Sequence, residues 1–83
     1  MASPSDSADS LADRFGSLVR QLRESRGWSQ EELAEHAELN RGYVGEIERG
    51  GAMPSLTTID KLAVAFRLSP SVLIARIESS ASF

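Results

Sequence analysis

The stretch Ser29–Arg49, SQEELAEHAELNRGYVGEIER, reads as two short amphipathic helices separated by a few residues, and that reading decides the fold. Ser29 followed by Glu32 is an S-x-x-E capping box, in which hydroxyl and carboxylate each satisfy a backbone N–H at a helix start. The helix it opens extends to about His36, with Leu33, Ala34 and Ala37 facing inward at helical spacing. Asn40 caps the next helix, from Arg41 to about Arg49, whose core residues are Val44 and Ile47 and which stops at Gly50-Gly51.

Working outward, Ser10 precedes a helix from Leu11 to about Arg26 that carries Leu11, Phe15, Leu18, Val19 and Leu22 on one arc and ends at Gly27. Beyond Pro54, Ser55 caps a fourth helix with a stripe of Leu56, Ile59, Leu62, Ala63 and Phe66. Ser69, with Pro70 at the first helical position, opens a fifth that reaches about Glu78. Strand-like alternation and internal repeats are both lacking, so the expected fold is all-α, five helices in one domain over residues 11–78. Residues 1–10 are expected to be a disordered polar tail, and 79–83 to fray unless Phe83 docks.

Composition sets limits on function. A chain of 83 residues buries only about 60% of its unfolded surface, which makes help from a second subunit an expectation. Without cysteine there are no disulfides or thiolate metal sites, and nothing requires an oxidising compartment. The opening MASPSDSADS lacks the charged and apolar regions of a signal peptide, and no apolar run spans a bilayer, so a cytoplasmic protein at the bacterial nucleoid is expected. The net charge of −3 runs against the basic character usual among nucleic-acid binders. Because charges are screened within about 8 Å, positive groups gathered on one face would suffice.

Two short helices joined this tightly have the spacing of a helix-turn-helix, in which the second helix enters the major groove of DNA; the alternative is an ordinary helical hairpin. At about 100° per residue, Arg41, Gly42, Gly45 and Glu46 fall opposite the core side of the third helix. Each mid-helix glycine costs about 1 kcal/mol relative to alanine, so two on one outer face suggest close approach to another surface, with tolerated drift as the alternative. A lone His36 is a surface residue rather than a metal ligand, and the serines have no histidine and aspartate arranged to activate them. The expectation is therefore no enzyme, no metal and no cofactor.

The run SQEELAEHAELNRGYVGEIERGGAMPSL resembles the helix-turn-helix of the lambda-repressor and Cro-like family, and the resemblance extends from Leu11 to Ile77. Within that family, LNRGYVGEIERG is similar to the controller proteins of restriction-modification systems. The resemblance implies that Gln30 holds a phosphate with its amide and the free N–H groups of its helix end, and that Arg41 reads a guanine through O6 and N7. Tyr43 would meet the DNA backbone or a thymine methyl, and Asn40 and Arg49 the backbone. Glu46 would accept from cytosine N4 or be a solvated carboxylate. The resemblance also implies that Arg23 and Glu48 pair, tying the third helix to the first. Where a glycine is usual in the turn this chain has Glu38, which costs roughly 1 kcal/mol if the position stays left-handed.

In the fifth helix Val72, Leu73, Ile74 and Ile77 spread over about 200°, wider than one core stripe needs, and Val64 lies off the stripe of the fourth. A two-fold homodimer through these residues is expected, as the resemblance implies, with recognition helices about 34 Å apart on a palindromic operator. Glu31 and Glu35 form an acidic patch of the kind that contacts RNA polymerase in lambda-repressor-like activators, or are simply helix-favouring surface residues. The functional expectation is a sequence-specific regulator of transcription, repressor and activator. Controller, phage-type repressor and autoregulating antitoxin are the contexts that fit, and a protein-interaction adaptor is the alternative from another class.

Overall fold

The computed structural model describes residues 10–80, with side chains as far as Ile77. Over this range the chain forms five helices: α1 (Leu11–Ser25), α2 (Gln30–Ala37), α3 (Arg41–Glu48), α4 (Leu56–Phe66) and α5 (Pro70–Ser80). The tail before Ser10 and the end from residue 81, including Phe83, lie outside the described residues. Among the described residues, no helix is long and apolar enough to cross a membrane.

Each helix starts where a side-chain oxygen takes up an orphan N–H. Ser10 accepts from the Asp13 N–H, Ser55 from Thr58 and Ser69 from Val72, and at Ser29 both bonds of the capping box are made. The ends of α2 and α4 are alike. Glu38 (φ 57°) and Arg67 (φ 61°) adopt the left-handed conformation, and the next N–H turns back, Leu39 to Ala34 O and Leu68 to Ala63 O, both at 2.8 Å. The turn at Glu38 thus keeps the geometry that glycine would supply, with the side chain held out in solvent.

The core gathers from every helix: Phe15, Val19, Leu33, Val44, Ile47, Leu62, Phe66 and Leu73 are fully enclosed. α3 rests on α1 and α2, α2 on α4, and α5 on both α1 and α4. Gly16 allows α1 and α3 to meet backbone to backbone. A Cβ there would overlap the Ile47 carbonyl oxygen and lie 2.9 Å from that of Glu48.

Several expected positions are corrected. Leu11 and Leu56, the first residues of their helices, are 48% and 77% exposed, because each stripe enters the core only one turn later. α5 continues through Ser79 and Ser80 rather than stopping near Glu78. Leu73 belongs to the chain's own core at 0% exposure and so is not available to a dimer interface, whereas Ile77, at 3%, is a core residue that also forms the floor of an apolar groove. α5 packs on α1 and α4 through the single stripe of Leu73 and Ile77, and the residues that widen its apolar arc, Val72 and Ile74, stay exposed. Val64, Val72 and Ile74 are exposed, with Val64 and Ile74 at separate hollows. Ile74 lines an apolar groove of about 340 Å³ with Leu11, Met53, Pro54 and Leu56 over a floor of Ile59 and Ile77, whereas Val64 borders a separate hollow beside His36 and Lys61.

Candidate nucleic-acid interface

The outer side of α3 is built from its cap upward. Asn40 Oδ1 accepts from the N–H groups of Gly42 (2.7 Å) and Tyr43 (3.3 Å), which fixes the first turn. Its amide nitrogen keeps two donors for another partner. Arg41 is exposed at the first helical position with no ion pair among the described residues, and Gly42 is exposed beside it. Tyr43 is half-buried, its ring packed against the core.

Gly45 is the correction on this face. It is buried, not outward, because Arg49 and Gln30 cover it: Arg49 Nη1 and Gln30 Oε1 lie 3.3 and 3.6 Å from where its Cβ would stand. It therefore presents no backbone to a groove floor. Glu46 and Arg49 are both exposed and paired, Arg49 Nη2 donating to Glu46 Oε2 at 2.8 Å.

Beneath α3 a polar cluster anchors it. Arg23 donates from Nε to Glu48 Oε2 (2.7 Å) and from Nη2 to Glu48 Oε1 (3.1 Å), the paired-fork geometry that suits guanidinium to carboxylate. Arg23 Nη1 donates to the Trp28 carbonyl at 2.8 Å, tying in the turn after α1. Gln30 Nε2 donates to Glu48 Oε1 at 3.0 Å, so one donor of the amide expected on a phosphate is committed inside the protein. The side chains of Arg23 and Glu48 are 12% and 4% exposed. The hydrogen bond to Glu48 raises the Arg23 pKa above its ordinary value, outweighing the burial that lowers it.

Two contacts had no signal in the sequence. His36 stacks on Trp28, ring centroids 4.0 Å apart and planes 14° from parallel, closing the junction between the α1–α2 turn and the end of α2. Arg26 lies over the Phe66 ring at 5.1 Å and donates to the Phe66 carbonyl at 2.6 Å, bonding the end of α1 to that of α4. On the far side of α2, Glu31 and Glu35 are exposed.

A short capped helix held outward from α1 and α2, following α2 after a tight left-handed turn, defines a helix-turn-helix protein. The chain belongs to the helix-turn-helix family of DNA-binding transcription regulators: the family's model matches residues 19–73, from within α1 into α5. Among curated relatives it is 43% identical over 61 residues to the control protein C.BamHI of Bacillus amyloliquefaciens, an alignment covering 72% of this chain and 75% of that protein. It is 32% identical over 72 residues to the transcriptional regulator SutR of Escherichia coli, covering 87% of this chain but only 40% of the relative. Among solved structures, the restriction-modification controller protein C.AhdI from Aeromonas hydrophila superposes with a TM-score of 0.71 at 45% identity, covering 75% of this chain and 94% of that one.

Proposed function

We propose that the protein is a sequence-specific double-stranded DNA-binding regulator that acts as a homodimer on a palindromic operator, and that it controls a restriction-modification system. The observation that carries the reading is the presentation of α3. Its inner side is pinned by the Arg23–Glu48–Gln30 cluster, while Arg41 and Arg49 stand on its outer side. Arg41 is assigned the bidentate contact to guanine, with Gly42 beside it on the side facing DNA. The free amide donors of Asn40 and Gln30, the Tyr43 hydroxyl and the Gln30 and Glu31 backbone N–H groups left over by the capping box take phosphates. The similarity to two controller proteins, C.BamHI and C.AhdI, supports the regulatory context.

The groove at Leu11, Met53, Leu56 and Ile74 supports the second subunit, since so much apolar surface is costly to leave in water on a domain this small. Exposed Glu31 and Glu35, facing away from the core, are assigned to RNA polymerase and thus to activation. Binding to a random duplex followed against salt tests the reading. A DNA-binding protein loses affinity linearly in log salt with a slope set by its phosphate contacts. Absence of binding even at low salt would overturn it and favour an adaptor.

A further inference from the structure

The exposed end of α3 carries an arrangement that a simple phosphate contact does not require. Arg49 is the C-cap of α3, yet its side chain runs back along the helix, so that Nη1 stands 3.3 Å from the missing Cβ of Gly45. Nη2 is held by Glu46 at 2.8 Å. Glu46 uses room that glycine leaves, because its Oε1 lies where a side chain on Gly51 would stand. The Gly51 N–H also donates to the Glu46 carbonyl at 2.9 Å. Two glycines thus border one guanidinium–carboxylate pair on the outward side of the helix: a Cβ at Gly51 would displace the carboxylate, and one at Gly45 would press the guanidinium by a few tenths of an ångström.

Stability does not account for it. The side chains of Arg49 and Glu46 are 65% and 51% exposed, and ion pairs of that kind are worth about 0–1 kcal/mol, no more than the ~1 kcal/mol a mid-helix glycine costs. Orientation does. A guanidinium has five N–H donors; with one on Glu46, the rest form a fork of fixed direction. A phosphate, met as a point charge, needs no such aim, whereas O6 and N7 of guanine do. We propose that Arg49 is a second guanine-reading residue of α3 and that Glu46 is the positioning residue that aims it. The inference rests on α3 being the major-groove helix, and it reassigns Arg49 from phosphate, Glu46 from cytosine and Gly45 from the groove floor.

The test uses a duplex selected by the wild-type protein from a random pool, with single-base variants of it and random DNA across a salt series. Arg49→Lys keeps the charge and loses the fork. Its affinity for the selected duplex falls about 5- to 150-fold (~1–3 kcal/mol) and discrimination disappears at one guanine, while random-DNA affinity and salt slope stay as in the wild type. Glu46→Gln relaxes the same base position to a smaller degree, and adding it to Arg49→Lys changes nothing further. Either of two results overturns the proposal: Arg49→Lys weakening all sequences equally or none, or Glu46→Gln tightening all sequences equally with and without Arg49, as mere repulsion of phosphates would. If the wild type selects no site, the assignment of α3 fails and this one with it. If Arg41→Ala abolishes the preference while Arg49→Lys keeps it whole, only the roles of Arg49 and Glu46 fail. Circular dichroism verifies that these surface variants are folded.

Discussion

Replacing Glu48 by alanine removes the point on which three donors converge: Arg23 Nε at 2.7 Å, Arg23 Nη2 at 3.1 Å and Gln30 Nε2 at 3.0 Å. The Arg23 guanidinium, 12% exposed, would keep its hydrogen bond to the Trp28 carbonyl and a looser ion pair with the exposed Glu24 at 4.0 Å. Breaking a buried pair from one side costs about 3–5 kcal/mol, and the residual exposure of Arg23 places this case near the lower end. At about 0.05–0.15 kcal/mol per residue, 83 residues give a total stability of about 4–12 kcal/mol, so the loss is a large fraction of the whole. With a urea slope of about 1–1.5 kcal/mol/M, the midpoint followed by circular dichroism should fall by about 2–3 M. The double variant Arg23→Met, Glu48→Leu removes both charges and should recover most of the loss. The sign for pH follows from the raised Arg23 pKa: the stabilisation is complete below the ordinary arginine value and is lost only as pH rises through the still higher folded value. Deprotonation of Arg23 therefore costs nothing across the working range. A Glu48→Ala protein within about 0.5 kcal/mol of wild type, or a double variant no more stable than the single, would refute the reasoning.

Gly16→Ala forces a methyl into the backbone carbonyls of Ile47 and Glu48; overpacking of about 1–3 kcal/mol or more should outweigh the ~1 kcal/mol gained in helix propensity. A melting temperature at or above wild type would contradict this contact. Glu38→Gly relieves the left-handed strain at φ 57° and should raise stability by about 1 kcal/mol, a melting shift of about 4–8 °C. No rise, or a fall, would mean that the turn departs from this geometry. Leu73→Ala and Ile74→Asp should separate core from interface. The first costs about 2–5 kcal/mol in urea unfolding because Leu73 is fully enclosed, and the second leaves the fold intact but shifts sedimentation at tens of micromolar from dimer to monomer.

Much of the architecture is legible in the sequence because it rests on local chemistry. Ser29 with Glu32, Asn40 ahead of Arg41, and Pro70 after Ser69 mark helix starts, and the apolar spacing around Phe15, Leu33, Ile47 and Leu62 marks inward faces. Positions that depend on how helices meet are harder to read. A wheel places Leu11 and Leu56 on their stripes but not the distance from the helix end at which burial begins. It shows the wide arc of α5 without showing which part of it α1 and α4 cover, and so the enclosed Leu73 looks as much like interface as the exposed Val72 and Ile74. At Gly45 the wheel gives the direction of a Cα, whereas the burial comes from long side chains leaning over it from Arg49 and Gln30. Gly16 had a signal, a glycine inside a helix otherwise rich in good helix formers, and its meaning emerges only from the approach of α3.

In the proposed function α3 reads DNA as one of a two-fold pair. Selection of bound duplexes from a random pool, by wild type and by Arg41→Ala in parallel, tests it most directly. The wild type should enrich a palindrome whose half-site centres lie one helical turn, about 10–10.5 base pairs, apart, with a guanine in each half-site that Arg41→Ala no longer selects. Enrichment of no sequence by the wild type at low salt, or of the same site by Arg41→Ala with equal strength, would contradict it.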